Sequence, residues 1–386
     1  MEPTGLQQIY SILERDSKNT TYKFALLRAT AEIVQNYHHF CHSLAGNPGR
    51  IEIPMGLFVE RWMIYYYPFM ASEKFVPQQL GGEKRERIAF RDEFDAVIRM
   101  YGDHLEEPFA VFYDHIRNGR FPNEVRPLVV ILARKIADTI LGKPMRHIGQ
   151  SVNKSPYSIF QKESRRKQIH ENWNPEFSAM IDSFGTVSLP RIFHDAMFDY
   201  GDFFSGERSI LAQWATFTRR VSGGNFKLEE IMEMYLRHPV IERDYQEAVK
   251  LYTAKIPEGL LCAWSGKPLN SENIHVDHLL PFSVTKSNDL WNLIPSFSAV
   301  NSDKRDKIPG PELIHSRKDA IIGNWELLRS TFPERFDREM KLGLLRGDEI
   351  GDWKNKAISR IMGRADFLIN RKFHEAWTGP GIVESK

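Results

Sequence analysis

The feature of this sequence that most restricts its fold is a short stretch in which β and α patterns follow one another within little more than 30 residues. A first apolar run, Ile274–His278, has the pattern of a short strand and ends in an acid followed by a histidine. A turn-rich loop separates it from a second apolar run, Trp291–Pro295, and the following Ser298–Asp306 has a helical pattern. Asn301 and Lys304 are one turn apart on that helix. This order of strand, loop, strand and helix predicts a small α+β module.

The rest of the chain has the periodicity of amphipathic helices. In Thr21–Gln35, apolar residues recur every three or four positions, and Pro127–Leu141 and Lys354–Ala376 have similar stripes. Such periodicity ordinarily marks a buried core, so we interpret the stripes as helix packing and not as a cofactor pocket. The predicted fold class is therefore mainly α with a small α+β module.

Chain length and local changes in amino-acid composition predict more than one folded unit. At roughly 150 residues per domain, 386 residues correspond to two or three units. Glycines and prolines that begin at Gly142 mark a junction. The predicted segments are an N-terminal helical domain (1–141), a basic junction with a middle helical region (142–254), the α+β module (255–318) and a C-terminal helical region (319–386).

Composition predicts a soluble protein of a reducing compartment. Hydrophobic residues make up 42% of the chain and charged residues 26%, which is typical of globular domains. The longest apolar run, Met63–Ala71, is far shorter than the roughly 20 residues of a membrane-spanning helix, so we expect no membrane insertion. The first residues lack the apolar core of a signal peptide, and the only cysteines are Cys41 and Cys262. These features predict a cytoplasmic protein without disulfide bonds.

A local excess of positive charge lies between residues 134 and 167, although the whole chain has a formal net charge of only +2. This stretch contains nine Lys or Arg residues against two acids, and Arg165, Arg166 and Lys167 are consecutive. Basic residues interleaved with aromatic ones suit contact with the phosphates and bases of DNA. A solvated charged loop is an equally good interpretation, and the sequence leaves the two open.

The α+β stretch resembles the HNH endonucleases, the ββα-metal nuclease family. The resemblance rests on Asp277-His278, Asn292 fourteen residues after the histidine, Asn301 nine residues further on, Lys304, and the closing Lys307-Ile308-Pro309. It covers about 55 residues and implies a ββα-metal (HNH) nuclease fold flanked by helical domains, with DNA as substrate and a divalent metal ion as cofactor. In that family the central asparagine, here Asn292, braces the loop between the strands and so orients the histidine.

The chemistry of these residue types supports the same function. A histidine whose pKa lies near its usual value of about 6.5 can deprotonate a water molecule, which makes His278 the candidate general base. Asp277 and Asn301 offer one anionic and one neutral oxygen, a ligand set that suits Mg²⁺ or Mn²⁺. Lys304 is predicted to hold a substrate phosphate, with Lys307 as a further DNA contact. For Lys304, a solvent-facing position on a charged helix is an equally good interpretation.

One feature of many HNH domains is missing from this sequence. Those domains carry two Cys-x-x-Cys pairs that bind a structural zinc ion, whereas here the first pair would be Cys262 and Ser265, and no second pair occurs in the chain. One cysteine cannot build a four-ligand zinc site. We therefore expect no structural zinc, and a module that is held by packing against its flanking helices.

The arrangement of the whole chain, with a helical front and a late HNH module, resembles bacterial HNH proteins of antiphage defence systems, among them the nuclease subunit of type II Zorya. This resemblance implies a role in antiviral defence, with other subunits of such a system as partners. A single HNH centre would cut one strand at a time, so the expected product is a nick. Two alternatives stay open, a non-catalytic DNA-binding or sensor protein on an HNH platform and an RNA-directed nuclease. The complete Asp, His, Asn and Asn set favours an enzyme, since a platform needs no base beside metal ligands.

Overall fold

A computed structural model describes residues 5–80, 87–102, 107–149, 159–170, 173–201, 210–236, 242–285, 287–345 and 352–380. The chain forms two compact units, residues 1–240 and residues 241–386. Helices predominate and the sheets are small, which confirms the predicted fold class of a mainly α protein with a small α+β module. The four segments predicted from the sequence are finer than this division and stay a prediction.

The first unit is built of helices around one antiparallel sheet. Its helices are α1 (Gly5–Arg15), α2 (Tyr22–Asn36), α3 (Met55–Met70), α4 (Arg91–Gly102), α5 (Pro108–Asn118), α6 (Arg126–Gly142), α7 (Pro144–His147), α8 (Phe177–Ser183), α9 (Arg191–Tyr200), α10 (Ile210–Val221) and α11 (Leu228–Leu236). Its strands are β1 (His42–Leu44), β2 (Asn47–Pro54), β3 (Gln161–Lys162) and β4 (Thr186–Pro190), in the order β1-β2-β4-β3.

Helix α3 lies at the centre of the first unit and is buried at every residue. Its sequence is apolar on nearly all sides, which is the pattern of a helix surrounded by other elements. Trp62 of α3 stacks on Tyr22 of α2, with ring centroids 5.5 Å apart. At Gly56, α3 comes so close to α8 that a Cβ atom would lie 2.1 Å from the carbonyl oxygen of Met180. Only glycine allows this approach.

The second unit contains the α+β module and the helices around it. Its helices are α12 (Glu242–Lys255), α13 (Phe282–Thr285), α14 (Ser298–Lys304), α15 (Pro311–Ser316), α16 (Lys318–Thr331), α17 (Pro333–Gly343) and α18 (Trp353–Asn370). Its strands are β5 (Ile274–His278), β6 (Leu293–Phe297), β7 (Ile308–Pro309) and β8 (Ala376–Trp377). Strands β5 and β6 pair in antiparallel, whereas β7 and β8 pair in parallel.

The hairpin β5–β6 and helix α14 form the predicted strand, loop, strand and helix. In the hairpin register, Asp277 pairs with Ile294 and His278 with Leu293. Strand β5 has the predicted bounds, whereas α14 ends at Lys304, two residues earlier than predicted. The helix stops there because the next residue, Arg305, has a left-handed backbone with φ of 50°.

A single hydrophobic core joins the module to the helices that follow it. Trp264, Trp291 and Trp325 are fully buried in this core, and Trp325 Nε1 of α16 donates a hydrogen bond of 2.8 Å to the carbonyl oxygen of Trp291. Trp353 of α18 packs on Trp325, with ring centroids 6.0 Å apart. The later helices therefore complete the core of the module.

None of the helices in the described part of the chain combines the length and the apolar character needed to cross a bilayer.

Candidate active site

Four of the predicted site residues lie around one cavity of about 300 Å³ in the second unit. Asp277 and His278 reach it from the end of β5, and Asn301 and Lys304 reach it from α14. The other lining residues are Pro281, Phe282, Ser302, Arg305 and Asp306. The hairpin and the helix thus bring together residues that are separated by more than twenty positions in the sequence.

The carboxylate of Asp277 is held in one orientation by two donors. Lys304 Nζ lies 3.0 Å from Oδ1, and Trp264 Nε1 donates a hydrogen bond of 2.9 Å to Oδ2. Asp277 is only 4% exposed, so neither interaction is screened much by solvent. Because each oxygen accepts from a different donor, the carboxylate cannot rotate without losing one of them.

Lys304 is buried and faces the site. Its ammonium also donates a hydrogen bond of 2.6 Å to the carbonyl oxygen of His278, and the residue has no exposed surface. Burial lowers the pKa of Lys304, and the charge of Asp277 opposes that shift. The solvent-facing interpretation therefore does not fit the structure. A contact with a substrate phosphate would compete with Asp277 for the same ammonium, so we interpret Lys304 as a partner of the site residues.

One ring nitrogen of His278 forms a hydrogen bond with the loop between β5 and β6. Nε2 lies 2.8 Å from Oδ1 of Asn288, and an amide oxygen can only accept. Nε2 therefore carries the proton, and Nδ1 is left as the nitrogen that can accept one. Burial lowers the pKa of His278, against the raising effects of Asn288 and Asp277, which favours the neutral imidazole that a general base requires.

Two aromatic rings flank the imidazole of His278. The Tyr245 ring of α12 is nearly parallel to it, with centroids 6.2 Å apart, and the Phe282 ring is 5.6 Å away. The Tyr245 hydroxyl donates a hydrogen bond of 3.0 Å to the carbonyl oxygen of Val276 in β5. These contacts restrict the orientation of the imidazole.

Asn292 is fully buried and connects both ends of the loop between β5 and β6. Its Oδ1 accepts a hydrogen bond of 2.8 Å from the backbone N–H of Leu280. Its Nδ2 donates to the carbonyl oxygens of Leu280 at 3.0 Å and of Ser287 at 3.3 Å. These bonds have the geometry of the loop brace that the family resemblance implied. The effect of this brace on catalysis stays a prediction.

The turn Cys262–Lys267 occupies the place of the first cysteine pair. The backbone N–H of Cys262 donates to the carbonyl oxygen of Lys267 at 2.9 Å, and Gly266 N–H donates to the carbonyl oxygen of Cys262 at 2.8 Å. Ser265 N–H points at the Cys262 sulfur, 3.4 Å away. The turn thus places Trp264 against Asp277 with hydrogen bonds of its own. Among the described residues, no group of three or more His, Cys, Asp or Glu side chains is arranged to hold a metal ion.

The donor set at the cavity fits a hard divalent cation. Each oxygen of Asp277 accepts one hydrogen bond in the structure and keeps a further lone pair, and Asn301 lines the same cavity. One carboxylate and one amide are few protein ligands, which suits an ion such as Mg²⁺ that retains several waters.

The other predicted DNA contacts lie outside this cavity. Lys307 forms an ion pair with Glu375, with Nζ and Oε1 3.4 Å apart. Arg165, Arg166 and Lys167 are exposed in the first unit, and Arg166 pairs with Asp138 at 3.3 Å. Residues 150–158 of the basic stretch lie outside the described residues. The roles of these four cations in DNA binding stay predictions.

Three residues that contribute to the site were not found from the sequence, namely Trp264, Asn288 and Tyr245. Each acts across a loop or from another element, so no spacing pattern marks it. For Trp264, its position inside the turn that corresponds to the first cysteine pair was a usable signal. For Asn288 and Tyr245 the sequence offers none.

Two family models match separate parts of the chain. The model described as a domain of unknown function (DUF8808) matches residues 3–234, and the model described as HNH endonuclease matches residues 262–310. No curated protein and no solved structure matches the chain. The second match covers the Cys262 turn, β5, β6, α14 and β7, and it supports a nuclease module, which implies binding of nucleic acid.

Proposed function

We propose that this chain, which belongs to the family described as a domain of unknown function (DUF8808), is a metal-dependent DNA endonuclease whose chemistry takes place in its HNH module. The observation that carries the proposal is the single cavity at which Asp277, His278 and Asn301 converge. A candidate base beside two oxygen ligands is the arrangement that phosphodiester hydrolysis requires.

Different residues of the chain have different roles in the proposed hydrolysis. His278 Nδ1 takes a proton from the water that attacks phosphorus, and Asn288 keeps the proton on Nε2 so that Nδ1 stays basic. Lys304 and Trp264 hold Asp277 in position, and Asn292 holds the loop that carries Asn288. A divalent ion held by Asp277 and Asn301 would neutralise charge on the phosphate and on the leaving oxygen.

We propose a nick as the product, because one centre with one base cuts one strand at each encounter. The setting in bacterial antiphage defence is part of the proposal and is supported by the resemblance in overall layout. It is tested by whether the wild-type gene reduces phage plaques while a gene encoding His278→Ala does not.

The main test is incubation of supercoiled plasmid with the purified protein and Mg²⁺. We expect relaxed circles to appear before linear DNA and EDTA to stop the reaction. His278→Ala should slow cleavage by about 10² to 10⁴, the usual effect of removing a general base. His315→Ala is the matched control, because His315 is an exposed histidine of the same unit. Cleavage by His278→Ala at the wild-type rate would contradict the proposal.

Asn301→Ala tests the metal site in the same assay. We expect this variant to need more Mg²⁺ for half-maximal cleavage while its affinity for DNA in EDTA changes little. Elemental analysis that finds stoichiometric zinc would instead show a different metal site. RNA cleaved in preference to DNA would favour the alternative of an RNA-directed nuclease.

A further inference from the structure

Phe373 is exposed to an unusual degree for an aromatic residue. Its exposed fraction is 88%, against 61% for Leu236, the next most exposed large hydrophobic residue in the described ranges. Its backbone has a φ of 58°, a left-handed conformation that bulky L-residues rarely adopt. Phe373 therefore combines an exposed apolar ring with an unfavourable backbone.

The fold itself does not require a phenylalanine at this position. Helix α18 ends at Asn370, and the N–H of His374 donates a hydrogen bond of 3.1 Å to the carbonyl oxygen of Leu368. The left-handed residue immediately before this donor lets the chain turn back over the helix end, and glycine usually occupies such a position. Glycine would close the same turn without strain and without an exposed ring. Neither packing nor backbone geometry therefore accounts for an aromatic residue at this position.

The pairing of β7 with β8 connects the segment that carries Phe373 to the segment that carries Arg305, a residue of the cavity lining. Ile308 pairs with Ala376, Phe373 comes three residues before Ala376, and Arg305, which lines the cavity, comes three residues before Ile308. The Lys307–Glu375 ion pair continues this register toward the two residues. Both non-glycine residues of positive φ in the described ranges therefore lie on segments that enter the same small sheet.

Cations that can contact phosphates lie on the same two segments as Phe373. Arg371 and Arg305 are exposed, and Lys372 lies over the Phe367 ring with its ammonium 5.5 Å from the centroid. Among the neighbouring acids, Glu375 is paired with Lys307, whereas Asp303 and Asp306 accept hydrogen bonds from Trp377 and Ser283 and keep their charge. The three cations Arg305, Arg371 and Lys372 outnumber these two acids by one. We call Arg305, Arg371, Lys372 and Phe373 the Phe373 wedge.

We propose that the Phe373 wedge contacts DNA next to the cut site, with the Phe373 ring stacked on an unpaired base or inserted at a base step. Arg305 and Arg371 then contact the flanking phosphates. Apolar side chains that enter a base step unstack it and kink the duplex, and aromatic rings stack on bases of any sequence. The preferred substrate is therefore a duplex that is unstacked at the cut. This inference rests on the proposed DNA nuclease function and specifies the DNA conformation that the site binds.

The test compares cleavage of a paired duplex with cleavage of the same duplex carrying an unpaired bubble. We expect Phe373→Ala to slow cleavage of the paired duplex about tenfold or more, since one base-stacking contact has an effect of that order. Cleavage of the bubble should change far less, because its bases are already unstacked. Phe373→Trp should keep activity on the paired duplex. Leu261→Ala, which truncates another exposed apolar residue of the same unit, is the control and should cleave both substrates as the wild type does.

A change in stability separates this role from a structural one. Phe373→Gly removes the strained backbone, so its melting temperature should rise by about 2 to 4 °C while its cleavage of the paired duplex falls as in Phe373→Ala. Equal rates for wild type and Phe373→Ala on the paired duplex would overturn the wedge. An equal loss on both substrates would overturn it as well.

A binding measurement keeps the inference independent of cleavage. A duplex that contains 2-aminopurine becomes brighter when that base is unstacked, and the protein can be added in EDTA. We expect brightening with wild type and with His278→Ala, and none when Phe373 is alanine. Brightening by a wild-type protein that cuts no DNA would support the wedge and reject the proposed reaction. No brightening by the wild type at any labelled position would overturn the wedge.

Discussion

Asp277 shows how a single side chain at this site depends on residues far from it in the sequence. Its carboxylate is oriented by Trp264 from the turn before β5 and by Lys304 from the end of α14. Trp264 in turn packs edge-on against Trp377 of β8, with ring centroids 5.2 Å apart. The orientation of one candidate metal ligand is thus coupled to the last described strand of the unit.

Trp264→Phe should distinguish the contribution of the hydrogen bond to Asp277 from the contribution of ring packing. The variant keeps a ring in the core and removes the N–H that donates to Asp277. A buried hydrogen bond to a charged group contributes about 1.5 to 3 kcal/mol, so the free energy of unfolding should fall by about that amount. We also expect the Mg²⁺ concentration for half-maximal cleavage to rise, because Asp277 is no longer held in one orientation.

Trp325→Phe provides the matched comparison. It removes a buried indole N–H that donates to the carbonyl oxygen of Trp291, away from the cavity. Its stability should fall by about 1 kcal/mol, while its Mg²⁺ requirement should equal that of the wild type. If both variants show the wild-type Mg²⁺ requirement, Trp264 has no role in positioning the metal ligand.

At this scale the sequence revealed the reactive side chains better than their surroundings. Asp277 and His278 stand at the end of a recognisable strand, and Asn301 lies one turn before Lys304 on the predicted helix. Burial of Lys304 could not be foreseen, because its neighbours Asp303, Arg305 and Asp306 are charged and exposed. Its burial results from the fit between α14 and β5, which is a tertiary contact.

Among the elements, helix α17 has a direct influence on the loop of the site. Glu339 of this helix accepts a hydrogen bond of 2.6 Å from the backbone N–H of Leu290, at the start of the 3-10 turn Leu290–Asn292. Burial raises the pKa of Glu339 to about 7, and the nearby Asp289 adds to the rise. Arg335 opposes it through a hydrogen bond of 2.6 Å, and Arg335 is also paired with Glu247.

The raised pKa of Glu339 predicts a pH-dependent stability. The stabilisation that comes from this raised pKa is complete below the ordinary glutamate pKa of about 4.5. It is lost as the pH rises through the folded-state pKa of about 7. Glu339→Gln keeps an acceptor for Leu290 and cannot ionise. Relative to this variant, the wild type should therefore lose about 3 kcal/mol of unfolding free energy between those two pH values.

Urea unfolding of both proteins at several pH values measures this difference. Glu334→Gln is the control, since it removes an exposed acid of the same helix, and its stability should change with pH as that of the wild type does. A constant difference between wild type and Glu339→Gln across the range would show that Glu339 does not titrate there.

The elements themselves were predictable to different degrees. Strand β5 is marked by its apolar alternation and was found with its observed bounds. The end of α14 was predicted two residues late, because charged residues without periodicity follow Lys304 and the left-handed turn at Arg305 has no glycine to signal it. Strands β7 and β8 have two residues each, which is too short for any pattern.

For the whole molecule, the distribution of charge bears on where the proposed DNA substrate is held. The segment from residue 255 to 318 contains eight Lys or Arg residues and seven Asp or Glu residues, so its own attraction for a duplex is expected to be weak. The consecutive Arg165, Arg166 and Lys167 of the first unit are exposed and form a denser positive patch. We propose that they contribute to holding DNA.

Replacing Arg165, Arg166 and Lys167 with alanine tests this contribution. Each neutralised phosphate contributes about −0.9 to the slope of log affinity against log salt, so the variant should bind more weakly and with a flatter slope. The loss should not depend on DNA sequence, because phosphate contacts carry no sequence information. Fluorescence anisotropy across a salt series measures both quantities.

A second triple variant, with Arg219, Arg220 and Lys227 replaced by alanine, removes the same charge from other exposed positions of the first unit. A specific role predicts a smaller effect for this control. Equal effects of the two variants would mean that only the net charge of the unit matters. An unchanged affinity and slope for the first variant would identify residues 165–167 as a solvated loop.

The pairing of β7 with β8 has a consequence for how the HNH module can be inherited or engineered. Ile308 and Ala376 are neighbours in space, although the four helices α15 to α18 lie between them in the sequence. Trp377, the residue after Ala376, supplies a ring beside Trp264 and a donor to Asp303. A gene fusion or truncation that follows the family match and breaks the chain soon after residue 310 would keep every reactive side chain. It would nevertheless remove β8, the strand that pairs with β7 and whose Trp377 packs against Trp264. The folded HNH module is therefore longer than the family match, and recombination can transfer it intact only together with the downstream helices and β8.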